Sequence, residues 1–331
     1  MNAAKLLPAL ARILLFLFCV PAIAQTAQNQ STRSLLVNVL DQNGNAVRDL
    51  AKDNFRVKVN GRPFGIVEAN YSLAPRRIVV LLDMSGSMAG ETPNNRKWWI
   101  AREAVEDLLE ETPADVKVAL LTFSSQAHDV FDFSQSRSSV ATWLKDEPRR
   151  QAEIKGRTAL YDSVLAATKL LEPTRPGDAV YAITDGWDNN SHTSETDTQK
   201  ILLQSRIRLF VFLFAQPLPF APEGSVPPVM RLARATGGFV FGVSGHHGAA
   251  GSQGLPSWDS TFDYNEPTRE RIRLSTRALN IQVNGFYTLH LDGPPTAAQS
   301  SKVSLEVVDA SGKAKKDVAW TCPEALPARE K

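Results

Sequence analysis

Residues 78–87 read Ile78-Val79-Val80-Leu81-Leu82-Asp83-Met84-Ser85-Gly86-Ser87: five apolar residues in succession, then a carboxylate, two serines and a glycine. An apolar run this short suits a strand covered on both faces, as strands of parallel sheets are. Three further runs share the texture: Val116-Lys117-Val118-Ala119-Leu120-Leu121, Ala179-Val180-Tyr181-Ala182-Ile183 and Leu209-Phe210-Val211-Phe212-Leu213-Phe214. Between them lie amphipathic stretches. The clearest starts near Asn95 and places Trp98, Ala101, Val105 and Leu108 three or four residues apart, with Glu103, Glu106, Asp107 and Glu110 on the other side. Residues 158–171 and 194–207 are weaker versions. Strands alternating with helices over about 200 residues predict an α/β fold, a doubly wound, mostly parallel sheet with helices on both faces.

Outward from this middle the period changes. Leu35, Val37 and Val39 alternate with other residues before Asn43-Gly44, and Phe55, Val57 and Val59 alternate before Asn60-Gly61. Near the other end, residues 286–291 and 303–308 have the same texture, with turn chemistry at Gly293-Pro294-Pro295 and Ser311-Gly312. Alternation bounded by Asn-Gly marks strands with one buried face. A few strands at either end cannot each bury a face alone. The expectation is a small β-sandwich built from N- and C-terminal strands, with the middle inserted. The corresponding segments are an N-terminal β segment (25–75), the α/β domain (76–280) and a C-terminal β segment (281–331) that pairs with 35–72. Residues 244–267, rich in Gly, Ser, His and Pro, read as a mobile surface loop.

Residues 1–24 are of another kind. Lys5 and Arg12 precede the apolar run from Ile13 to Val20, and Ala22-Ile23-Ala24 follows. This is the pattern of a cleaved secretory signal peptide, and the run falls short of the roughly 20 residues a spanning helix needs. Phe18 before Cys19 argues against a lipoprotein site. Retention as an anchor is the rival reading. With cleavage after Ala24 the product has no membrane span and is periplasmic or secreted. The formal net charge of +2 belongs to the two basic residues removed, so charge gives no argument for nucleic acid. Of two cysteines only Cys322 would remain, which leans towards a bacterial exported protein rather than a disulfide-rich secreted one. The 331 residues are 43% hydrophobic, which excludes wholesale disorder, and the 19 glycines exclude a collagen-like chain.

In an open parallel sheet, ligands bind beyond the carboxyl ends of the strands. At those ends stand Asp83, Ser85 and Ser87 after the first run, and Thr184-Asp185-Gly186-Trp187-Asp188-Asn189 after the third. Gly156-Arg157-Thr158 opens a helix between them. Two carboxylates and three hydroxyls from three loops make a set of hard oxygen donors, suited to Mg²⁺ or Mn²⁺ rather than zinc. Each alone reads equally well as a helix cap or turn residue. His246-His247 lacks further ligands at zinc spacing, and Cys322 lies in a polar tail.

These residues resemble the von Willebrand factor A family and its metal-ion-dependent adhesion site. The family's Asp-x-Ser-x-Ser is intact as Asp83, Ser85 and Ser87; Thr158 and Asp185 fall where the family places its loop threonine and second-loop aspartate. The resemblance covers about residues 76–243 and extends through the helix expected at 269–279. It implies a metal held by Asp83, Ser85, Ser87, Thr158 and Asp185: Mg²⁺ or Mn²⁺, with Ca²⁺ also allowed. A partner protein would complete the coordination with a Glu or Asp side chain. Arg157, Trp187 and Asp188 are candidate partner contacts, and residues 89–95, 124–137, 187–195 and 244–267 would carry specificity. The function implied is a metal-dependent protein-binding module of the cell envelope, used for adhesion or complex assembly, without catalysis. The alternatives are a structural component with a merely stabilising metal, and a metal-dependent hydrolase. For the last, His128 and His192 are near enough in the pattern to ask about, although no spacing fixes either against a serine, and no nucleophile elbow or phosphate loop is present.

Overall fold

The computed structural model describes residues 33–73, 76–89, 97–146, 152–214, 227–243, 265–292 and 301–326. The signal peptide expected at 1–24, most of the loop expected at 244–267 with its His246-His247 pair, residues 90–95 and Gly293-Pro294-Pro295 lie outside them. The described residues belong to one compact unit, Thr32–Lys331.

Each apolar run becomes a strand of one six-stranded sheet. In chain order these are β5 (Arg77–Asp83), β6 (Lys117–Phe123), β7 (Ala127–Phe131), β8 (Ala179–Thr184), β9 (Arg208–Phe214) and β10 (Val240–Val243). The spatial order is β10-β9-β8-β5-β6-β7, with all pairs parallel except the edge pair β6–β7. Alternate side chains feed two separate cores, which is why the runs are unbroken. Ile78, Val80 and Leu82 pack with one cluster, Val79 and Leu81 with the other. The first cluster receives α1 (Lys97–Glu111), α2 (Arg137–Lys145) and α6 (Glu266–Asn284) through Trp98, Val105, Val140, Leu144, Ile272 and Leu279. The second receives α3 (Leu160–Leu170), α4 (Glu195–Ser205) and α5 (Pro228–Ala235) through Leu160, Val164, Leu202, Val229 and Leu232. The fold is therefore doubly wound α/β. The chain leaves β5 to one side for β6 and later returns to its other side for β8, so the carboxyl ends of β5 and β8 flank the switch point.

The alternating segments form two antiparallel four-stranded sheets. One has the order β13-β1-β11-β4, from β1 (Arg33–Asp41), β4 (Ile66–Leu73), β11 (Gly285–Leu291) and β13 (Val318–Thr321). The other has the order β14-β12-β2-β3, from β2 (Phe55–Val59), β3 (Arg62–Phe64), β12 (Ser301–Val307) and β14 (Ala325–Leu326). Each sheet mixes strands from both ends of the chain. They share one core, in which Leu35, Val37, Phe55, Val57, Tyr287, Leu289, Val303 and Val307 are buried. Asn60-Gly61, both at positive φ, closes the tight β2–β3 hairpin, as Asn-Gly does where φ must be positive twice. At the joint between the two parts, Arg208 Nη1 donates to Asn38 Oδ1 at 2.6 Å and to the Gln282 carbonyl at 2.9 Å. Asn38 Nδ2 donates to the Gly285 carbonyl at 2.7 Å, where α6 passes into β11. Among the described residues no helix is long and apolar enough to cross a membrane.

Candidate metal centre

Asp83 ends β5 at the switch point and is completely buried. A buried carboxylate needs donors, and this one finds them on Ser85 and Thr184. The Ser85 backbone N–H donates to Oδ1 at 2.8 Å and the Thr184 hydroxyl donates to Oδ2 at 2.6 Å. Thr184 is the last residue of β8, and its oxygen also accepts from the Gly186 N–H at 3.0 Å. One hydroxyl thus ties the ends of β5 and β8 and shapes the loop that carries Asp185. Burial, and the Asp185 carboxylate facing it, push Asp83 up to about 7.

Ser85 is buried and precedes a short 3₁₀ turn, Gly86–Met88. Its hydroxyl lies 3.1 Å from that of the exposed Ser87. The loop before α3 is stitched to this turn. Gly86 N–H donates to the Gly156 carbonyl at 3.0 Å, Lys155 N–H to the Met84 carbonyl at 3.0 Å, and Ala159 N–H to the Ser124 carbonyl at 2.7 Å. Gly156 has φ +91°, and a Cβ there would lie 2.8 Å from Ser125 Oγ, so the loop's course depends on glycine. Thr158 is buried; its N–H donates to Asn189 Oδ1 at 2.8 Å and its carbonyl accepts from the N–H groups of Asn189 and Asn190, both at 3.0 Å. The three loops expected to meet are therefore bonded to one another.

Asp185 is 4% exposed. Its Oδ2 lies 3.3 Å from the ammonium of Lys97, the first residue of α1, which also donates to the Ser87 carbonyl at 3.0 Å. The Lys97 side chain is fully buried. Burial lowers its pKa, and the charges of Asp185 and Asp83 oppose that. Sequence reading passed over Lys97 and Thr184. A lysine at the start of an amphipathic helix reads as solvated, and a threonine ending an apolar run reads as strand.

The candidate partner contacts take different positions. Arg157 is exposed, with its N–H donating to Ser125 Oγ at 2.9 Å. Trp187 is half-buried, and its indole Nε1 is buried without a hydrogen-bond partner among the described residues. The Asp188 carboxylate accepts from Tyr161 N–H at 3.0 Å, and from the Ser191 hydroxyl and N–H at 2.5 and 3.1 Å. It thereby satisfies a donor in the first turn of α3, as capping residues do. His192 sits on Asp162, 3.2 Å from Oδ2. His128 Nε2 lies 2.7 Å from Ser124 Oγ; among the described residues no carboxylate bonds the other nitrogen of its ring. Trp98 is buried, while the half-buried Trp99 lies under the Arg102 guanidinium, 5.2 Å from its ring centroid. Cys322 packs beside the sandwich core, and burial pushes its thiol up to about 12.

The donor set tests well against a hard divalent cation. Asp83 and Asp185 bring carboxylates, Ser85 and Ser87 bring adjacent hydroxyls, and a buried cation, Lys97, already lies against Asp185 Oδ2. Among the described residues no group of three or more His, Cys, Asp or Glu gathers to hold a metal.

Residues 78–187 match the family model described as the von Willebrand factor type A domain; the match starts on β5 and ends two residues past Asp185. No curated protein matches the chain. Among solved structures, the chain is similar to an aerotolerance-related membrane protein from Bacteroides fragilis, at 17% identity and TM-score 0.45 over 64% of this chain and 99% of that one. It is similar to BatB from Bacteroides thetaiotaomicron, at 18% identity and TM-score 0.43 over 63% of this chain and 98% of that one. It is also similar to the proximal thread matrix protein 1 of the mussel byssus, whose metal-ion-dependent adhesion motif is occupied by zinc. That likeness has 15% identity and TM-score 0.45, over 68% of this chain and 50% of the mussel chain.

Proposed function

We propose that this protein is a divalent-cation-dependent protein-binding module of the cell envelope. Asp83, Ser85, Ser87, Thr158 and Asp185 would hold Mg²⁺ or Mn²⁺, with Ca²⁺ a third candidate. A partner's Glu or Asp carboxylate would bind there. The observation that carries this reading is the pairing of two buried carboxylates at the switch point. Asp83 and Asp185 face each other on adjacent strand ends, close enough for Asp185 to raise the pKa of Asp83. Two negative charges buried together are costly unless cations answer them, and within the pair the single charge of Lys97 lies against Asp185 alone. A bound divalent ion would supply an electrophilic centre for an anionic ligand. The chain's own residues orient Asp83 through Ser85 N–H and Thr184, and present Ser87, Arg157 and Trp187 at or near the surface of the rim.

The export signal at 1–24 supports a periplasmic or secreted site of action, and the domain at 76–280 is the unit expected to carry binding. A purely structural metal is the second possibility, since stitching three loops together would also stabilise the fold. The test separates them. Calorimetric titration with Mg²⁺ and Mn²⁺ should give saturable binding to the wild type and none to Asp83→Ala. Envelope protein retained on the immobilised chain in Mg²⁺ should be released by EDTA and not retained by Ser85→Ala. Metal binding without any metal-dependent retention would favour the structural role.

A further inference from the structure

Lys97 is a cation built into the rim. An ammonium taken out of water must find oxygens to replace its hydration, and the Ser87 carbonyl at 3.0 Å and Asp185 Oδ2 at 3.3 Å are among those it finds. Both belong to the loops that carry the oxygen-donor pattern, and the Asp185 carboxylate is one of the two charges a divalent ion would need. Charge counting shows the consequence. Asp83 and Asp185 together balance one dication. A dication bound with the Lys97 ammonium still in place would set two cations against one buried carboxylate, Asp185, where Coulomb repulsion is poorly screened. The lysine has a flexible four-carbon stem and a single compact charge, so withdrawal costs little covalent strain.

We propose that Lys97 is an intramolecular competitor for the site's cation. Its ammonium and a divalent ion exclude one another at Asp185, and metal entry requires Lys97 to leave Asp185 and Ser87. This inference rests on the metal reading of the same site. Competition lowers the apparent affinity by the fraction of time the ammonium holds the carboxylate, so the device sets the cation concentration at which the module becomes competent to bind.

The test is Mn²⁺ titration of the intact chain by calorimetry, comparing wild type with Lys97→Met and Lys97→Gln; the Gln variant keeps a hydrogen-bond donor if the Met variant does not fold. Both variants that fold should bind Mn²⁺ about tenfold more tightly than wild type, or bind where wild type does not. Equal or weaker binding by the variants, with wild type still binding, would overturn the competitor and leave the metal reading standing. No Mn²⁺ binding by any of the three would end both. Labelling with an amine-acylating reagent, read by mass spectrometry, gives a second measure on unaltered protein. Lys97 should be labelled faster in saturating Mn²⁺ than in EDTA, and unchanged labelling despite bound Mn²⁺ would contradict its displacement.

Discussion

The Thr184 hydroxyl donates to Asp83 Oδ2 at 2.6 Å, joining the last residues of two neighbouring parallel strands. Without that bond, the completely buried Asp83 would depend on Ser85 alone for its hydrogen bonds. Thr184→Val preserves shape and removes the hydroxyl. It should cost about 1–3 kcal/mol, the penalty for leaving buried polar groups without a partner. Urea unfolding checks this, and Thr184→Ser should recover most of the loss.

Burial and the facing Asp185 push Asp83 up to about 7, from an ordinary value of 3.8. A carboxyl with a raised folded pKa contributes stability that is fully present below its unfolded value and lost as pH rises through its folded value. In EDTA, the stability of wild type relative to Asp83→Asn should therefore fall as pH rises from about 4 through about 7. Urea midpoints of both proteins across that range would show it. A difference independent of pH would mean that Asp83 titrates normally.

Gly156 carries the loop between Lys155 and Thr158 at φ +91°, where a Cβ would lie 2.8 Å from Ser125 Oγ. Gly156→Ala should destabilise by about 1–3 kcal/mol, combining left-handed strain with that contact. It should also weaken any cation binding, because the Gly86–Gly156 bond fixes this loop against the Ser85–Ser87 turn. Thermal unfolding gives the first quantity and Mn²⁺ titration the second.

In the sandwich, Leu289 on β11 is fully buried and pairs with Leu35 of β1 and Ala69 of β4, both from the N-terminal segment. Leu289→Ala should cost about 2–5 kcal/mol and leave cation affinity unchanged, since the site lies on the other sheet. A Leu289→Ala protein of normal stability but impaired metal binding would show the two parts to be coupled in a way the contacts do not predict.

The parallel sheet was legible in the sequence because strands feeding two cores have no polar face to interrupt them, as residues 78–82 and 209–214 illustrate. The sandwich was legible from one-sided alternation at both ends. Edge strand β7 was not, because Ala127–Phe131 is mostly exposed and has no apolar period. Nor were β13 and β14, which are too short to display one. At the rim, Asp83, Ser85 and Ser87 were singled out by a family resemblance, since each alone reads equally well as a cap or turn residue. Lys97 was not: its role comes from meeting Asp185, 88 residues away, and no local pattern encodes that. Asp188 has the converse history. Its place beside Asp185 suggested the rim, while its carboxylate is spent on Tyr161 and Ser191.

Thermal unfolding reports whether the rim binds a divalent cation. The chain from Gln25 would be melted in EDTA, Mg²⁺, Mn²⁺ and Ca²⁺ beside Asp83→Ala. A ligand at 100 times its dissociation constant stabilises by about 2.7 kcal/mol, or roughly 5 °C or more for a protein of this size. Such a rise is expected with Mg²⁺ or Mn²⁺ in the wild type and none in Asp83→Ala. An unchanged midpoint in every ion, up to millimolar concentrations, would contradict cation binding at the rim.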